Sequence, residues 1–371
     1  NTRQETFAQK IVRGQILTND GQVLAETVTD SEGNETRRYP YGSIFSHIVG
    51  YSTKGKSGIE SLANFNLLRS NTAFIDKVGD EMQGEKSPGD NVVTTLDYGL
   101  QATAYDALGY YKGAIVVLEP STGKILAMVS KPDFDPNTIA ADWDNLTADE
   151  NTDAALLNRA TQGLYPPGST FKIVTLASAL ENLPDLNDFA FDCTGYYPVG
   201  NYSVTDGSAQ GVQSLSDAFA HSCNTTFAAL SQDLGYEMLG QTAEEMGFNE
   251  NFMFSDLIVY NSSYPIDDLS AEDLAWSAIG QGRVLATPMH MALIAATIAN
   301  RGVMNEPRLV AQITTAQGGN RALLSHAGGR RVISEDVANR LESEMIRVVK
   351  SGTGKRAALD NGYTVAGKTG S

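Results

Sequence analysis

Tyr165-Pro166-Pro167-Gly168-Ser169-Thr170-Phe171-Lys172-Ile173-Val174-Thr175-Leu176-Ala177-Ser178-Ala179-Leu180-Glu181-Asn182 is the stretch on which the reading of this chain turns. Two prolines and a glycine end whatever comes before. Beyond them, apolar residues at 173, 176, 177 and 180 keep the spacing of a buried helical stripe. Ser169 then falls in the first turn, where free N–H groups and the positive end of the helix dipole favour a developing oxyanion. Lys172 follows three residues later on the same face, so its amine can take the hydroxyl's proton. A serine at a helix start is also an ordinary cap, and the string needs support from elsewhere in the chain.

Support comes from two further strings in fixed order, Ser222-Cys223-Asn224 and Lys368-Thr369-Gly370. Decoys exist as well. Ser121 to Lys124 is a second S-x-x-K, and Lys56 to Gly58 and Lys350 to Gly352 both read K-S-G. Ser121 lies in the turn Glu119-Pro120-Ser121-Thr122-Gly123 between two apolar runs, so only Ser169 and Lys172 can act as a helix-borne pair. A lysine in water keeps its proton to a pKa of ~10.4 and is no base at neutral pH. Lys172 therefore has to be buried among Phe171, Ile173 and Leu176, with Lys368 as a second cation nearby, since both effects lower an amine's pKa.

Ser-Thr-Phe-Lys, Ser-Cys-Asn and Lys-Thr-Gly in this order resemble the signature of penicillin-binding proteins and serine β-lactamases. Arg13-Gly14-Gln15-Ile16 with Asp20-Gly21-Gln22-Val23-Leu24-Ala25, Gly58-Ile59-Glu60, Lys131-Pro132-Asp133-Phe134-Asp135-Pro136-Asn137 and Gly280-Gln281-Gly282 are similar to segments of the monofunctional class B penicillin-binding proteins. Together these segments span nearly the whole chain. Class D β-lactamases usually carry a hydrophobic residue where this chain has Asn224, and no deacylating glutamate of the class A kind can be assigned, so the resemblance favours a peptidoglycan D,D-transpeptidase. A class D-like β-lactamase and a catalytically silent cell-wall scaffold are the alternatives.

The resemblance implies Ser169 as nucleophile, Lys172 as its base, Ser222 as proton relay and Asn224 as the group that holds Lys172 and the substrate peptide. It implies Lys368, Thr369 and Gly370 as the substrate carboxylate site, and the N–H groups of Ser169 and Ser371 as oxyanion hole. The implied substrates are D-Ala-D-Ala stem peptides, with β-lactams as covalent inhibitors and no cofactor or metal. The implied partner is a membrane glycan polymerase of the shape-elongation-division-sporulation type. The implied place is the extracytoplasmic face of the cell membrane, behind an N-terminal anchor. Because the family continues past its third motif, the stop at Ser371 leads us to expect a truncated catalytic domain.

Composition agrees with a large folded body. The 371 residues are 42% hydrophobic and 19% charged, and 27 basic against 44 acidic residues give a formal net charge of −17. Such a surface repels nucleic acid. No apolar run reaches the 18 residues of a membrane span. Gly362 to Thr369 matches the nucleotide-binding pattern G-x-x-x-x-G-K-[ST], but Tyr363, Thr364 and Val365 are strand formers inside the supposed loop and no helix can follow Ser371. Cys193 and Cys223 allow one bridge at most, and Cys223 reads as a packed side chain. His47, His221, His290 and His326 lack metal-ligand spacing, and Asp133, Asp135 and Asn137 lack the glycine of a calcium loop.

The expected fold is α+β, an antiparallel sheet flanked by helices, with a β-rich pedestal over residues 1–90 and a catalytic domain over 91–371. Gln101 to Leu108 reads as a helix, Gly113 to Ser130 as a hairpin, and Thr287-Pro288 and Ser334 as helix starts. Ser222 and Asn224 should lie between two helices, and Tyr363 to Ser371 should form a strand.

Overall fold

The computed structural model describes residues 10–71, 85–148, 153–184, 186–267, 269–323 and 328–371; His326 lies outside them. The chain forms two compact units. One takes residues 1–162, 253–258 and 306–328, the other residues 163–252, 259–305 and 329–371. The first unit therefore extends past the expected break near residue 90.

Six strands make its main sheet, in the order Asn320–Leu323, Val310–Thr314, Asn91–Thr94, Ile16–Leu17, Val23–Thr29 and Glu35–Arg38. Ile16–Leu17 and Asn91–Thr94 run parallel, and the other neighbours are antiparallel. The Arg13-Gly14 and Gly58-Ile59-Glu60 segments meet here. Glu60 is wholly buried and accepts from Arg13 Nε at 2.6 Å and from Arg37 Nε at 2.7 Å. A buried carboxylate needs this compensation. Gly14 is fixed by space, because a Cβ there would lie 1.9 Å from Asp90 O.

The expected hairpin pairs Gly113–Leu118 with Ile125–Lys131, and the Tyr98–Leu108 helix packs on it through Ala104, Ala127 and Val129. Asp97 caps that helix by accepting from Leu100 N. Gln101, buried, exchanges two bonds with the backbone of Met128 at 2.8 and 2.9 Å. Asp135 accepts from Asn137 N in a local turn, Asn137 Oδ1 accepts from the distant Tyr39 N at 2.9 Å, and Asp133 accepts from Tyr105.

The second unit is mainly helical. Its core joins Phe171, just before the Lys172–Asn182 helix, and Val174 and Leu176 of that helix to Phe227 and Leu230 of Asn224–Glu245, Leu274 of Ala271–Ala278, and Leu341 and Val348 of Glu335–Lys350. Caps fall where the sequence places them. Thr287 and Ser334 each accept a backbone N–H, with Pro288 in the first helical turn. Two expectations are corrected. Ser169 stands on a short 3₁₀ turn, Gly168–Phe171, and the α-helix begins only at Lys172. Tyr363 to Ser371 is not a strand, because among the described residues no neighbouring strand supplies the ladder of hydrogen bonds a strand requires.

Candidate active site

Gly168 and Gly280 set the floor. Gly168 has φ +55° and a Cβ there would lie 2.4 Å from Ser371 O, while a Cβ on Gly280 would lie 2.2 Å from Gly168 O. Gly168 N donates to Gly280 O at 2.9 Å. Only glycine permits so close a stacking of three backbone segments. The Gly280-Gln281-Gly282 segment thus supports the turn that carries Ser169, and the last residue of the third string lies against it. Gln281 Nε2 adds a bond to Ser371 O at 3.3 Å.

The second string sits between the helices Leu215–Ala220 and Asn224–Glu245, with Asn224 already the first helical residue. Ser222 has φ +60°, a left-handed conformation that costs a non-glycine residue energy and concentrates at functional sites. Cys223 N to Ala218 O at 2.8 Å holds it there.

All three strings converge on Lys172, whose side chain has no solvent exposure. Its Nζ donates to Ser222 O at 2.6 Å, to Asn224 Oδ1 at 2.7 Å and, less closely, to Ser222 Oγ at 3.3 Å. Phe227 lies beneath it, 5.5 Å from Nζ to ring centroid. Burial, and next the Lys368 cation, push the Lys172 pKa down to about 7, against the opposing pull of Asp206 and Cys223. Lys368 Nζ donates to Ser222 Oγ at 2.8 Å, and burial lowers its own pKa to about 8. The Lys368 ammonium of the Gly362 to Thr369 segment is placed on Ser222 Oγ rather than held for a nucleotide phosphate.

An open cleft of about 550 Å³ is lined by Ser169, Ser222, Asn224, Thr369, Gly370 and Ser371, together with residues the sequence did not single out, namely Asp206, Trp276, Ile279 and Thr353. Asp206 anchors the second string: Oδ1 accepts from Asn224 N at 2.6 Å and Oδ2 from Thr225 N at 3.0 Å. Burial raises its pKa, but these donors together outweigh it and the carboxyl ends below its ordinary value. No spacing rule flags a lone aspartate at the end of the Tyr202–Thr205 strand. The cysteines are free thiols with Sγ atoms 3.2 Å apart, both buried. They and Asp206 form a group close enough to hold a metal ion, but each Asp206 oxygen already accepts a backbone N–H. Burial pushes the Cys223 thiol up to about 11, which suits a packed side chain rather than a nucleophile. His221 is exposed, and its ring nitrogen meets Asp217 O, not Ser222.

Residues 113–371 match the penicillin binding protein transpeptidase domain, and residues 13–92 match the penicillin binding protein A dimerisation domain. The chain belongs to the penicillin-binding protein transpeptidases. This penicillin-binding protein is 35% identical over 391 residues to the peptidoglycan D,D-transpeptidase PbpA of Mycolicibacterium smegmatis, over 96% of this chain and 76% of the relative. It is similar to the imipenem acyl-enzyme complex of penicillin-binding protein A from M. tuberculosis, with TM-score 0.89 and 32% identity over 98% of this chain and 87% of the other. It also resembles the D,D-transpeptidase domain of a peptidoglycan glycosyltransferase from Eggerthella lenta, with TM-score 0.86 and 37% identity over 97% and 87% of the two chains.

Proposed function

We infer that this penicillin-binding protein is a peptidoglycan D,D-transpeptidase working through an acyl-enzyme, and that β-lactams acylate the same serine. The observation that carries the reading is the buried Lys172 amine, with a pKa near 7 and its two shortest bonds on Ser222 O and Asn224 Oδ1. A neutral amine has two protons and one lone pair. Those two bonds use both protons and leave the lone pair for the Ser169 hydroxyl.

Ser169 then attacks the penultimate D-Ala carbonyl of a stem peptide, and Ser222 passes a proton to the departing D-Ala amine. An amine from a neighbouring stem resolves the ester. Lys368 and Thr369 hold the terminal carboxylate, as a cation and a hydroxyl donor should. Gly370 lets the backbone approach, and the N–H groups of Ser169 and Ser371 receive the oxyanion. Gly168, packed against Ser371, supports that pairing.

We extend the reading to the whole molecule. Residues 1–90 act as a non-catalytic pedestal and 91–371 as the transpeptidase segment, held at the outer face of the cell membrane and paired with a membrane glycan polymerase. No helix among the described residues is long and apolar enough to cross a membrane. Intact-mass analysis after exposure to benzylpenicillin tests the core of the reading. Expected is a lasting penicilloyl adduct on Ser169 that Ser169→Ala lacks. Rapid hydrolysis without accumulation points to a β-lactamase, and no reaction at all removes the reading.

A further inference from the structure

We propose that Thr353 is a positioning residue for the carboxylate site, donating its hydroxyl proton to Thr369 so that Thr369 presents its own proton to the substrate. This rests on the reading of Lys368 and Thr369 given above. Thr353 Oγ1 lies 2.7 Å from Thr369 Oγ1, and both residues line the cleft that contains Ser169 and Ser222. The pair can share only one proton between them, so its direction matters. A carboxylate accepts and never donates. If Thr369 donated to Thr353 it would have no proton left for the substrate, so the working direction runs from Thr353 to Thr369 to the carboxylate. Bonds in such a chain strengthen one another.

Thr353 is held for this task by its backbone. Its N–H donates to Ala220 O at 3.0 Å, and Gly352 and Gly354 both donate to Val348 O at 3.0 Å. A Cβ on Gly352 would lie 2.1 Å from Ala220 O, so the approach requires glycine at that position. Ala220 stands two residues before Ser222. The loop that ends the Glu335–Lys350 helix thereby ties the second string to the third through one hydroxyl. The K-S-G string at Lys350 to Gly352, set aside as a decoy, is the lead-in to this loop.

Second-order acylation rates with benzylpenicillin and with its methyl ester, measured on wild type, Thr353→Val, Thr353→Ser and Thr369→Val, test the proposal. Thr353→Val should lose roughly 5- to 15-fold with the free acid, the worth of one hydrogen bond to a group that binds charge. The loss should fall on binding rather than on the limiting rate. Thr353→Ser should stay near wild type, and Thr353→Val should leave the slower ester reaction unchanged. Wild-type rates for Thr353→Val with the free acid, or an equal loss with the ester, overturn the proposal. Thr369→Val separates the two layers: if it keeps the full preference for acid over ester, the reading of Thr369 as a carboxylate donor fails and the role of Thr353 with it, and if it loses part of that preference while Thr353→Val does not, only the role of Thr353 falls.

Discussion

Lys368 Nζ donates to Ser222 Oγ at 2.8 Å, so the third motif reaches the second directly. The same oxygen takes a longer bond from Lys172 Nζ at 3.3 Å. A hydroxyl has two acceptor positions and one proton. With Lys368 on one acceptor position, the Ser222 hydroxyl keeps its own proton for a group in the cleft, and once Lys172 is neutral both of its protons go to Ser222 O and Asn224 Oδ1.

The two lysines set a pH profile. In the roles proposed above, Lys172 must be neutral to accept the Ser169 proton, and Lys368 must be charged to bind a carboxylate. Acylation of the free enzyme by benzylpenicillin should therefore rise through pH about 7 and fall above about 8. Stopped-flow or intact-mass rates across pH 5.5 to 9.5 check this, and a flat profile over that range would remove Lys172 as the base.

Lys368→Met separates the two limbs. Its charge lowers the Lys172 pKa, so removing it should move the acid limb to higher pH and abolish the alkaline limb. The rate at pH 7 should fall by about 10²-fold or more, from loss of the carboxylate cation and from a more protonated base. An acid limb that stays in place would show that the two amines do not interact.

Asp206→Asn acts in the opposite sense on the same limb. Asp206 raises the Lys172 pKa, so the variant's acid limb should move to lower pH. Its amide keeps one acceptor oxygen where the carboxylate had two for Asn224 N and Thr225 N. The loosened Asn224 should lower the maximal acylation rate by roughly 10-fold, the scale of one charge-assisted bond. A lower maximum with an unshifted limb would confine Asp206 to a mechanical role.

Much of this site is legible in the sequence because its parts obey local rules. The burial of Lys172 follows from the apolar stripe of its own helix, and the caps at Thr287 and Ser334 from residue type and position. What escapes is long-range. Asp206 and Thr353 act through partners 18 and 16 residues away, and neither belongs to a spacing pattern. The residues of Tyr363 to Ser371 favour a strand, but a strand exists only in its pairing. The stacking of Gly168 on Gly280 and Ser371 is a matter of space that no propensity records.

His290 gives the fold its own acid sensitivity. The ring has no solvent exposure and packs against Phe248 and Phe252, with Nε2 2.9 Å from Met246 O and Nδ1 without a hydrogen-bond partner among the described residues. Burial pulls its pKa down to about 4 from an ordinary 6.5. Between these values the unfolded chain binds a proton that the folded one refuses, so stability is full above pH 6.5 and is lost as pH falls toward 4. The depression corresponds to roughly 3 kcal/mol for one such group. His47, with its pKa also lowered to about 4 by burial, adds to the same window. Urea unfolding at pH 7 and pH 4.5 should show the fall, and His290→Gln, which keeps a donor for Met246 O, should be less stable than wild type at pH 7 yet lose clearly less on acidification. Equal losses in the two proteins would place the acid sensitivity elsewhere.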